Sequence, residues 1–155
     1  MSVLRIFPAG AGAGDWDLQD EPRGGVGAVV RERHDDSPFT GLPRTSRSVV
    51  IVPAARMRTL IVAVPPTPPA KLPAVVRFAL EDQLAGEVDA QHVVIAARRE
   101  GAAVVHVLER RWLQQVLAEL AHHGVQPLRV VVESDLVPRA PSSLATGCGA
   151  KTEAT

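Results

Sequence analysis

Several groups of residues in this chain have types that chemistry could use, and the first is a glycine run. Glycine recurs at every second position, Gly10, Gly12 and Gly14, directly before Asp15. Such turns cradle phosphate when their amides point inward and a lysine follows, as in G-x-x-x-x-G-K-[ST]. No lysine follows Gly14, and the Asp15 carboxylate would repel a phosphate. The spacing also misses the dinucleotide-binding pattern, and no βαβ unit surrounds it. The run reads as a flexible hairpin turn.

The histidines are the second group. His122 and His123 follow Glu119 closely, but adjacent residues on a helix point about 100° apart. Zinc-binding helices place their ligands at i and i+4 instead. This pair reads as solvated residues at a helix C-terminus, where positive charge suits the dipole. His92 and His106 fall in separate predicted strands, with no carboxylate pattern beside either. His34, Asp35 and Asp36 read as a solvated loop. Glu81 and Asp82 are consecutive, so on a helix they diverge and read as a charged outer face. Ser142 and Ser143 have no histidine placed to activate them. Cys148 is the one cysteine, which excludes an intrachain disulfide and a cysteine-based zinc site. No catalytic, cofactor-binding or metal-binding residue is expected, and the chain reads as a non-enzyme that needs no cofactor.

Composition narrows the partners. Lysine plus arginine equals aspartate plus glutamate at 17 each, so net charge gives no attraction to nucleic acid or anionic lipid. Aromatics are 3% and tyrosine is absent, which removes the stacking platforms of a single-strand binder. Hydrophobic residues make up 46% of the 155, enough for one domain or two small lobes. The start lacks a basic stretch followed by an apolar run, and no apolar stretch reaches membrane-spanning length.

The elements that must position these groups follow from periodicity. Residues 3–7 read as a strand, and Trp16 and Leu18 alternate with Asp15, Asp17 and Gln19 as a second. Residues 27–33 complete a meander, and the polar stretch 34–47 reads as a loop. The β-branched runs 48–52 and 59–64 predict two strands, followed by a stiff proline-rich connector over 65–69. Leu72, Val75, Val76, Ala79, Leu80 and Leu84 form one apolar stripe, predicting a helix over 71–85. Residues 91–97 and 102–108 flank Arg98-Arg99-Glu100-Gly101 as a hairpin. Residues 110–123 give the clearest helix, with Trp112, Leu113, Val116, Leu117, Leu120 and Ala121 on one side. Residues 126–132 predict a last strand, and the pattern then stops. The order of elements predicts a mixed α/β domain.

At residue 49 the chain begins to resemble a known family. Val49-Val50-Ile51-Val52-Pro53-Ala54, followed by Leu60-Ile61-Val62-Ala63-Val64-Pro65, resembles the "strand, Pro-Ala, strand, Pro" opening of GspL, protein L of the bacterial type II secretion system. Phe78-Ala79-Leu80-Glu81-Asp82-Gln83-Leu84-Ala85 is the most specific match, to that family's "FALED/EQLA" helix end. The resemblance covers roughly residues 48–139, with 1–47 as the leading meander. It implies an actin-like, ribonuclease-H-like lobe: a mixed sheet with two main helices and a small inserted subdomain. The lobe would take residues 1–56 and 91–139, the insert 57–90, and a disordered tail 140–155. It implies a scaffold on the cytoplasmic side of the inner membrane that docks the secretion ATPase GspE and, in full-length members, meets GspM and GspF. Arg77, Glu81 and Asp82, on the outer face of the first helix, are the expected partner contacts. Actin-like ATPases carry Asp-x-Gly at the end of the first strand; here that stretch is Ile6-Phe7-Pro8-Ala9-Gly10, without the aspartate. Two alternatives stay open: a nucleotide-binding protein of the PilM kind from a pilus assembly system, and a truncated remnant.

Overall fold

The computed structural model describes residues 2–10, 12–21, 27–45 and 47–136. Its strands form two sheets. In the larger, β1 (Ser2–Gly10), β2 (Ala13–Asp20) and β3 (Val29–Pro38) make the antiparallel meander, while β4 (Ser48–Val52) runs parallel beside β1 and β8 (Arg129–Val132) parallel beside β4. In the smaller, β5 (Met57–Ala63) and β6 (Gln91–Arg99) both pair antiparallel with β7 (Ala102–Glu109). Helix α1 (Leu72–Glu81) belongs to the smaller sheet, and α2 (Arg110–His122) covers the larger. A single turn, α3 (Glu133–Leu136), follows β8.

Alternation makes the two cores. Leu4 and Ile6 of β1, Trp16 of β2, and Val50 and Val52 of β4 point to one face of the larger sheet. Trp112, Leu113, Val116 and Leu120 of α2 pack against them, so Trp112 sits in the core as its stripe predicts. A second cluster joins Leu72, Val76 and Leu80 of α1 to Val62, Val105 and Val107 of the smaller sheet. Each fully buried leucine or valine contributes roughly 1.5–3 kcal/mol by leaving water.

Between the parallel neighbours β4 and β8 the chain builds the whole smaller sheet, α1 and α2. The smaller unit is thus an excursion inside one crossover. Strand pairing carries the smaller sheet from Met57 to Glu109. Residues 137–155, which include the expected tail with Ser142, Ser143 and Cys148, lie outside the described residues.

Three local expectations change. The stretch 34–37 is strand, because His34 and Ser37 continue the pairing of β3 against Trp16 and Gly14. The His34 ring also stacks on Trp16 at 4.4 Å between centroids. Just beyond it, Phe39 begins a short 3₁₀ turn and is 2% exposed, a core residue inside the expected loop. Helix α1 ends at Glu81, four residues before the expected end, and Leu84 folds back into the core with its N–H on Leu80 O at 2.9 Å.

Helix α2 ends as Gly124 requires. Gly124 has φ +77°, its N–H donates to Ala121 O at 3.0 Å, and the Val125 N–H donates to Leu120 O at 2.9 Å. This is the Schellman arrangement, and buried Val125 beside Leu120 supplies its apolar contact.

Candidate functional site

Two places merit a chemical reading: the turn between β1 and β2, and the outer face of α1. The turn is shaped by steric need. A Cβ on Gly14 would meet Phe7 O at 2.3 Å, so β2 can pass this close to β1 only with glycine there. Gly12 takes φ +72°, and a Cβ on it would lie 3.2 Å from Glu119 Oε2 of α2. The turn therefore has a carboxylate against it from the helix that covers the sheet.

The cleft beside the turn is lined by Phe7, Pro8, Asp15, Pro53, Arg56 and Glu133, among others. Its charged groups are engaged. Asp15 Oδ1 accepts the Asp36 N–H at 2.8 Å, and Glu133 Oε2 accepts the Ala54 N–H at 2.9 Å. The Arg56 guanidinium donates to Ala9 O at 3.4 Å and lies 5.3 Å from the Trp112 ring centroid. Within the cleft the carboxylates of Asp15 and Glu133 stand beside the Arg56 guanidinium, and Asp15 also lies within electrostatic reach of Arg33. Farther along the same face of the sheet, Asp17 is 4% exposed and takes a bidentate grip from Arg5, with Arg5 Nε donating to Oδ1 at 2.7 Å.

The histidines disperse. His122 and His123 meet edge to face at 5.3 Å at the C-terminal end of α2. His34 Nε2 lies 2.8 Å from Glu32 Oε1 on exposed β3. On the same strand, the hydrogen bond to Asp35 and its charge raise the Arg33 guanidinium pKa above its ordinary value. His106 is the buried one: Nδ1 lies 3.0 Å from Thr59 Oγ1, while Nε2 has no hydrogen-bond partner among the described residues and sits 3.9 Å from Asp135 Oδ1. Among the described residues, no three metal-ligating side chains come together.

The outer face of α1 is the reverse of the turn. Arg77, Glu81 and Asp82 are all exposed; α1 carries Arg77 and Glu81 on its solvent side, and Asp82 caps its end. Arg77 is ion-paired to Asp89, so its charge is answered within the chain. The Glu81 and Asp82 side chains make no hydrogen bond or ion pair among the described residues. Between them and Arg77 stands Phe78, 72% exposed. The sequence reading did not choose Phe78 as a contact. The signal was present: Phe78 falls outside the stripe of Leu72, Val75, Val76, Ala79, Leu80 and Leu84.

With that geometry in view, the chain can be set beside known proteins. It matches the family described as type II secretion system (T2SS), protein L, over residues 29–146. Its fold superposes on the cytoplasmic domain of EpsL, an inner-membrane component of the type II secretion system of Vibrio cholerae, with a TM-score of 0.77 at 20% identity, covering 90% of this chain and 60% of that one. It also superposes on a chain of the PilM–PilN type IV pilus biogenesis complex, with a TM-score of 0.61 at 15% identity, covering 85% of this chain and 47% of that one. No curated protein matches by sequence. This chain thus spans 60% of the first structure's length and 47% of the second's. These likenesses give the fold as the actin-like kind, with a mixed sheet.

Proposed function

This chain belongs to the type II secretion system protein L family, and from that premise we propose that it is a non-enzymatic scaffold segment docking the secretion ATPase, GspE, on the cytoplasmic side of the inner membrane. The observation that carries the reading is the family match over residues 29–146, on a fold shared with the cytoplasmic domain of EpsL. The outer face of α1, with Arg77, Glu81 and Asp82, is the docking face in this proposal. GspM and GspF are partners of the assembled platform, reached through longer members of the family. No helix among the described residues is long and apolar enough to cross a membrane. We draw the inserted unit as residues 57–109, following the smaller sheet, with the remaining described residues as the lobe that carries it.

The glycine turn followed by the Asp15 carboxylate in place of a lysine supports a binding role over nucleotide chemistry. Two titrations test this. Full-length secretion ATPase added to the chain should give a saturable complex in sedimentation velocity. ATP with magnesium should give no saturable heat in calorimetry. A folded chain that ignores the ATPase, or one that binds the nucleotide at micromolar concentration, would contradict the proposal.

A further inference from the structure

Five aromatic side chains occur in the whole chain: Phe7, Trp16, Phe39, Phe78 and Trp112. Four are buried or half-buried; Phe78 alone stands out at 72% exposed. Its place is a helix whose inward stripe is already complete, since Leu72, Val76 and Leu80 fill the core without it. Along the helix, Ala74, Phe78 and Glu81 are spaced by four and three residues, so they share one face, and Asp82 borders it. The small alanine leaves the ring unshielded on one side. On the other stand two carboxylates with no partner among the described residues. The neighbouring cation Arg77 is already ion-paired to Asp89.

We propose that Phe78 is the anchor of the docking face on α1, and that its occupant is a protein socket with an apolar floor and a lysine- or arginine-lined rim on the secretion ATPase. This rests on the scaffold reading and adds to it the chemistry of the contact. An aromatic centre ringed by charge is the usual anatomy of a small interface, with the buried anchor giving affinity and the rim giving orientation. The two free carboxylates set the sign of the partner's rim, because a like-charged surface would be repelled and a neutral one would leave them unanswered at close range. The face is narrow, one helix stripe, which fits a contact of modest area that forms and releases.

The test is a titration of the full chain with full-length secretion ATPase, followed by sedimentation velocity, alongside four variants. Phe78→Ser should weaken binding by at least about tenfold. Phe78→Leu, which keeps an apolar side chain, should stay within about threefold. The double variant Glu81→Lys with Asp82→Lys should weaken binding by about tenfold or more through charge reversal. The double variant Glu81→Gln with Asp82→Asn should lose most of the salt dependence that the native chain shows. All three positions changed are exposed, so melting temperatures should match the native chain, and the conservative variants keep the test readable if a harsher one does not fold. If the native chain binds and all variants bind alike, the anchor is overturned while the scaffold reading stands. If the native chain does not bind, the scaffold reading fails and takes the anchor with it. The chain alone goes through the same centrifugation; self-association abolished by Phe78→Ser would give the face to a second copy and overturn the assignment to the ATPase.

Discussion

The β1–β2 turn and the outer face of α1 are both polar surfaces flanked by a core, yet they differ in whether their groups already have partners. At the turn, Asp15 holds a backbone N–H, Glu133 holds another, Arg56 lies over Trp112, and Glu119 crowds Gly12. On α1, Glu81 and Asp82 have no partner among the described residues, and Phe78 has no cover. The turn carried the more suggestive residue pattern and holds the less available groups. Availability, more than residue type, separates a structural feature from a place where something binds.

Variants can break or sharpen that contrast. The largest effects lie in the floors beneath the two regions. Leu120→Ala and Leu80→Ala each remove a side chain with no exposure, from the larger and smaller core respectively. Each should cost about 2–5 kcal/mol in denaturant unfolding. If Leu80→Ala left stability unchanged, α1 would not be held on its sheet and its outer face would have no fixed geometry.

Next comes the turn. Gly14→Ala places a Cβ 2.3 Å from Phe7 O, a backbone atom that cannot swing aside. Stability should fall by about 1–3 kcal/mol, with binding to the ATPase by the remaining folded chain unchanged. A loss of binding out of proportion to the unfolded fraction would move the docking face to the turn. Gly124→Ala should cost about 1–2 kcal/mol, because φ is +77° and the new Cβ would crowd the following carbonyl. Phe78→Ser should change stability least, within about 0.5 kcal/mol, while being the variant that most affects docking.

The sequence made some of this legible and hid the rest for physical reasons. Strand β1 and helix α2 show in local periodicity because each buries one face, and β4 shows as an unbroken β-branched run because it is buried on both. The second half of β3 does not, because an edge strand exposed on both sides has no apolar alternation; His34 and Ser37 look like loop residues. The grouping of β6 and β7 with β5 was hidden because pairing such as Leu60 with Val105 is a long-range choice. On α1 the exposure of Arg77, Glu81 and Asp82 is legible from charge and spacing, whereas that of Phe78 between them runs against its residue type. The buried state of Asp17 could not be read either, since a strand aspartate is expected to face water until its Arg5 partner across the sheet is known.

Hydrogen–deuterium exchange on the full chain, with and without saturating full-length secretion ATPase, compares both regions in one experiment. The account predicts slowed exchange across α1, Leu72–Glu81, and no change at the turn around residues 10–15. Slowed exchange at the turn with α1 unaffected would contradict it.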